Sequence, residues 1–224
     1  PAVAIPQYTG DTTLFAPASS RDASAIDVTA TIVNLRGTCT ESPEQLGTLV
    51  NFDVVAQRRD AGPARTVVFP YFIAMVQGGN VIVSKQVSNI AVNFAAGQIR
   101  AQTAGGGQAQ VLRSAATLPP EIQAQISRKR KAGDADAAID PLADPTVKAA
   151  IRATSFEVLV GFQLDDQALA YNACCRAGEL LLAKGEPEEG LQLLSGVGRI
   201  DAIAERARRA EIRCHLALGS INSP

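Results

Sequence analysis

Phe156-Glu157-Val158-Leu159-Val160-Gly161-Phe162-Gln163-Leu164 decides the fold class. Phe156, Val158, Val160, Phe162 and Leu164 fall on one side of an extended chain, and Glu157, Gly161 and Gln163 on the other. That is the period-two pattern of a strand with one buried face. Five apolar side chains on one face need a partner surface, and the pattern that supplies it lies far upstream.

From about residue 27 to 102 the same period recurs. Val28, Ala30 and Ile32 alternate with Thr29 and Thr31; the apolar phase then slips to Val33 and Leu35, which predicts a bulge or a strand buried on both faces. Val50, Phe52, Val54 and Ala56 alternate with Asn51, Asp53 and Gln57. Val67, Phe69, Tyr71, Ile73 and Met75 continue the series, with Pro70 removing one ladder donor within it. Gln77-Gly78-Gly79-Asn80 predicts a tight turn, and Val81 to Val87 the return strand. Ile90, Val92 and Phe94 read as another strand, turned by Ala95-Ala96-Gly97-Gln98. Short strands at this spacing predict an antiparallel β-sandwich, mainly β in class, spanning about 27–164.

Between the two β stretches the period disappears. Gly105-Gly106-Gly107 reads as a linker, since it lacks the trailing Lys-Ser/Thr of a phosphate-binding loop. Pro119-Pro120 suits the first turn of a helix through Ile122 and Ile126. A second helix is expected over Pro145–Ala153, with Asp144 as its cap. Because the strand pattern resumes at Phe156, residues 117–153 form a helical insertion and not a linker between domains.

Two terminal zones remain. Residues 1–26, rich in Pro, Ser, Thr and Ala without a sustained period, are expected as an extended N-terminal arm. From 165 to 224 the spacing is helical. Asp165 and Asp166 are candidate caps for a helix carrying Leu169, Ala173, Ala177, Leu180 and Leu181, and two further helices follow through Leu191, Leu194, Ile203 and Leu218. All ten aromatic residues lie at or before Tyr171, so this C-terminal helical tail has a different kind of core.

The residue inventory narrows the chemistry. The chain has 224 residues, 21 basic and 22 acidic, for a net charge of -1, which gives no reason to expect nucleic acid as a partner. No apolar run is long enough for a membrane-spanning helix. His215 is the single imidazole, beside Cys214, and a closed zinc site needs four donors. Cys174-Cys175 are adjacent and diverge by about 100° on a helix, one toward the packing face and one toward the flank; Cys39 follows a strand. Arg128-Lys129-Arg130-Lys131 is followed by Asp134, Asp136, Asp140 and Asp144, a mixed loop that screens itself. No catalytic, cofactor-binding or metal-ligating residue is assigned, no cofactor is expected, and a hydrolase is disfavoured.

Phe69-Pro70-Tyr71-Phe72, Lys85-Gln86-Val87, Val158-Leu159-Val160-Gly161-Phe162-Gln163-Leu164 and Leu169-Ala170-Tyr171-Asn172 together resemble uncharacterised envelope lipoproteins of Gram-negative bacteria. Thr117-Leu118-Pro119-Pro120 and Arg128 to Lys131 fit one branch of that family, and the likeness covers about residues 14–172. It implies a periplasmic or outer-membrane-anchored protein, with a leader and an acylated cysteine before Pro1 as its sole membrane attachment; Met75 is the only methionine, so the chain is read as a processed product, a trimmed one or a fragment. It brings no catalytic residues. Leu180 to Leu191 resembles a tetratricopeptide helix pair. The expected function is therefore a non-catalytic structural or binding module of the cell envelope. The alternative is an adaptor whose helical tail docks another envelope protein.

Overall fold

The computed structural model describes residues 1–18, 23–128, 140–186, 188 and 189. Eight strands form two packed sheets: β1 (Ala2–Ala4), β2 (Asp11–Phe15), β3 (Ile26–Glu41), β4 (Gln45–Arg58), β5 (Arg65–Gln77), β6 (Val81–Phe94), β7 (Arg100–Leu112) and β8 (Phe156–Phe162). Helices α1 (Pro120–Ser127) and α2 (Pro145–Thr154) lie between β7 and β8, and α3 (Asp166–Ala183) follows β8. One sheet has the order β1-β8-β5-β6 and the other β2-β3-β4-β7. All pairings are antiparallel except β1 with β8. The chain is a β-sandwich, mainly β, with a helical insertion and a helix after the last strand.

The inward phase follows the sequence period. Val28, Ala30 and Ile32 of β3 and Val50, Phe52, Val54 and Ala56 of β4 face Phe69, Ile73 and Met75 of β5 and Val158, Val160 and Phe162 of β8 in one apolar core. Val160 pairs with Ile73 and Val158 with Met75, so the segment that opened the sequence argument sits in the middle of its sheet. Phe52 and Tyr71 meet edge to face across the two sheets at 5.2 Å, and the Tyr71 hydroxyl donates to the Gly106 carbonyl at 2.8 Å. An aromatic body in the core with its polar tip satisfied stabilises both layers at once.

Pro70 lies within β5 without a bulge. Its carbonyl accepts from the Gln163 N–H at 2.9 Å, just past the last β5–β8 pair, Tyr71 with Phe162. A strand residue aims its N–H and C=O to the same side, so the missing donor falls where β8 leaves the ladder. The phase slip after Val33 is a bulge: pairing with β4 shifts between Val33 and Arg36, and Asn34 takes φ 54°. Asp144 accepts from the Thr146 N–H at 2.7 Å to cap α2, and Asp165 accepts from the Ala168 N–H at 2.7 Å to cap α3.

Three expectations are corrected. Gly105-Gly106-Gly107 is not a linker but the middle of β7, paired with Phe52, Asn51 and Val50. A Cβ on Gly105 would stand 2.6 Å from Ile90 Cδ1 and 2.7 Å from the Phe52 ring, one on Gly106 2.5 Å from the Val50 carbonyl, and one on Gly107 would overlap Ile73 Cδ1. The glycines let large core side chains of the neighbouring strands reach the β7 backbone. Next, Val81–Val87 and Ile90–Phe94 are one strand, because Ser84, Gln86 and Ser88 hold the same phase as Ile90, Val92 and Phe94. Finally, the expected N-terminal arm carries two strands: β1 edges one sheet and β2 the other. Three- and five-residue strands are too short to show a period.

Candidate functional site

Two buried polar side chains, Arg58 and Asn172, are spent on the fold. Arg58, 4% exposed at the inner end of β4, donates from Nε to Gln98 O at 2.6 Å, from Nη1 to Pro63 O at 2.8 Å, and from Nη2 to Gly62 O at 2.9 Å and Ala95 O at 3.1 Å. Its guanidinium carbon stands 5.4 Å from the centre of the Phe94 ring. Four carbonyl dipoles and a ring face replace the water a buried cation loses. The result ties the loop after β4 to the turn between β6 and β7. Asn172, 6% exposed, donates to Tyr8 O and Asp11 O, both at 2.7 Å.

The residues singled out for chemistry are scattered. Cys39 is an exposed free thiol within β3, not after it, opposite Thr48 of β4. The Thr48 hydroxyl is buried and has no partner. Cys175 is buried on α3, facing the packing side expected for one member of its pair; the Cys174 side chain, Lys129 to Lys131, Cys214 and His215 lie outside the described residues. Among the described residues no group of three or more His, Cys, Asp or Glu side chains could hold a metal ion. None of the described helices is long and apolar enough to cross a membrane. Among the described residues one carboxyl has a displaced titration: the Thr146 amide holds Asp144 below the ordinary aspartate range, which is cap chemistry.

What the molecule offers outward is the first half of β6. This strand edges its sheet, and residues 81–89 are exposed on both faces. Val81 is 53% exposed, Ile82 64%, Val83 46% and Val87 55%. Ser84, Gln86 and Ser88 hold the inward phase where the opposite sheet no longer covers them, and Ile90, Val92 and Phe94 take over where it does. The pairing with β5 shifts between Met75 and Val76, leaving Val83 as the extra residue of a bulge. Lys85 Nζ lies 4.8 Å from the centre of the Phe72 ring. An apolar strand edge carrying one charge and one bulge is accessible yet guarded against uncontrolled pairing.

Sequence reading placed this strand but missed its exposure. The signal was present: polar Ser84, Gln86 and Ser88 occupy the phase that a buried strand fills with apolar residues.

On α3 the inward side chains are Tyr171, Asn172 and Cys175, with Tyr171 edge-on to Phe15 at 6.1 Å. Leu169 and Leu180, expected to form the seam of a self-packed tail, are exposed; the tail residues expected to cover them lie outside the described residues.

No family model, curated protein or solved structure matches this chain.

Proposed function

We propose that this protein is a non-catalytic structural or binding module of the bacterial cell envelope, held in the periplasm or at the outer membrane by a lipid anchor upstream of Pro1. The observation that carries the reading is the contrast between inner and outer chemistry. Buried Arg58 and Asn172 satisfy backbone carbonyls, whereas the first half of β6 presents apolar side chains and open strand-edge groups to the outside. Chains that bind through a strand edge need a rigid sheet behind it, and β5 and β8 supply one. The envelope setting rests on the likeness of Phe69–Phe72, Lys85–Val87, Val158–Leu164 and Leu169–Asn172 to envelope lipoproteins. A second reading, an adaptor acting through the helical tail, is favoured by the exposure of Leu169 and Leu180.

Both readings are tested by expressing the full chain with its native leader and placing a photo-crosslinking residue at Ile82 or at Leu180. Crosslinks from position 82 to a single envelope protein support the first. Crosslinks confined to position 180 replace it with the adaptor. Recovery of the protein in the cytosol overturns the envelope assignment, and crosslinks from neither position overturn binding through either surface.

A further inference from the structure

The N-terminal segment contributes an edge strand to both sheets and closes them on the same side. β1 runs parallel to β8 for three residues, the chain then crosses the open flank of the sandwich, and β2 pairs with β3 in the opposite sheet. Carbonyls in the crossing serve both sheets, since the Phe162 N–H donates to Thr9 O at 2.7 Å and the Ile32 N–H to Gly10 O at 2.8 Å.

The segment is keyed into place and not simply laid on. Val3 fills a notch at Gly37, where a Cβ would overlap its side chain. Thr9 fills another at Gly161, where a Cβ would stand 2.7 Å from Thr9 Cβ. Against this, its own ladder is short. Pro6 has no N–H to give, β1 is three residues long, and the β2 register is irregular at Leu14 and Phe15. Tyr8 holds a left-handed φ of 68°, a conformation that L side chains adopt only when neighbouring contacts impose it. Tyr8 takes that φ at the third position of a turn closed by the Thr9 N–H and hydroxyl on the Pro6 carbonyl, at 3.3 and 3.0 Å, and Asn172 holds the turn from outside, its amide donating to the carbonyls of Tyr8 and Asp11 from the buried face of α3.

We propose that residues 2–15 are a releasable strap and that Asn172 is its latch, so that the seating of α3 governs whether the flank of the sandwich is closed. When the latch lets go, the edges of β8 and β3 are uncovered together. The helix after the last strand is then a control element for two sheet edges, beyond any docking role of the tail that follows it.

The test is residue-resolved hydrogen exchange on the full chain carrying Asn172→Asp, in which an ionised carboxylate offers acceptors to two carbonyl oxygens. Amides of Ala4, Thr12 and Leu14, together with Phe162 and Ile32, should exchange about tenfold faster or more, while those central in β4 and β5 stay within about twofold of the parent. Unchanged strap amides would overturn the latch. Equal acceleration everywhere would show that Asn172 supports the whole fold, which overturns it too. Gly161→Ala supplies the independent arm, whether or not the first variant folds. It should loosen the same amides by colliding with Thr9, and adding Thr9→Gly should restore slow exchange; a Gly161→Ala chain with a parental strap would overturn the keyed seat.

Discussion

The two halves of β6 share one backbone, one pairing partner and one alternation, and they live in different solvents. Ile90, Val92 and Phe94 are buried, Ile90 against Gly105 of β7 and Phe94 against Arg58 of β4, whereas Ser84, Gln86 and Ser88 keep the same phase and are exposed. Strand formation here is therefore decided by the β5 ladder and not by burial. Apolar residues in the first half, such as Ile82 and Val87, sit outside the core and contribute little to stability. They are available to another molecule.

The comparison can be broken most forcefully by charge. Val160→Glu, at a position with no exposure on the inward phase of β8, should cost about 4 kcal/mol or more by burying an unpaired carboxylate. Ile82→Glu, on the same sheet, should stay within about 0.5 kcal/mol of the parent. Urea unfolding of the two variants reads the contrast directly, and similar losses from both would erase the distinction between the buried phase of β8 and the exposed first half of β6.

A second, smaller effect sharpens the boundary at β7. Gly106→Ala places a methyl 2.5 Å from the Val50 carbonyl, a backbone atom that cannot swing aside. It should cost about 2 kcal/mol through displacement of the β4–β7 ladder. Gly79→Ala, in the turn before β6 with nothing within 4 Å, should cost about 1 kcal/mol from its φ of 81° alone. Thermal unfolding should rank them in that order, and the reverse order would mean β7 tolerates side chains after all.

The smallest effect concerns α2 and pH. The Asp144 carboxyl is held below its ordinary range by the Thr146 amide, so the folded state favours the charged form. Its contribution is complete above the unfolded carboxyl's titration range and is lost as pH falls through the folded one. Asp144→Ala should thus lower Tm slightly at pH 7 and hardly at all near pH 2. A gap that persists at pH 2 would assign the loss to something other than the cap charge.

Particular residues show what could be read in advance. Val158, Val160 and Phe162 announce a half-buried strand because burial imposes alternation. Asp144 and Asp165 announce helix starts because free N–H groups want an acceptor. The glycine run at 105–107 misleads, since the reason for it lies in Phe52, Ile73 and Ile90, distant in sequence. Only the small residues at 105, 107 and 109, in phase with Val111, hint at an inward face facing large partners. β1 and β2 carry no signal of their own. As for the outward surface, its location on β6 was legible in the polar inward phase at 84, 86 and 88, but its exposure depends on where the other sheet stops.

Arg58 has a consequence of a chemical kind. Its guanidinium nitrogens are committed to the carbonyls of Gly62, Pro63, Ala95 and Gln98 and its plane lies near the Phe94 ring, so a dicarbonyl reagent cannot close on it in the folded chain. Arg59, on the surface next door, is open to the same reagent. The adjacent pair is a built-in clock and control: Arg59 reports how much reagent is present, and Arg58 how often this end of the sandwich breathes.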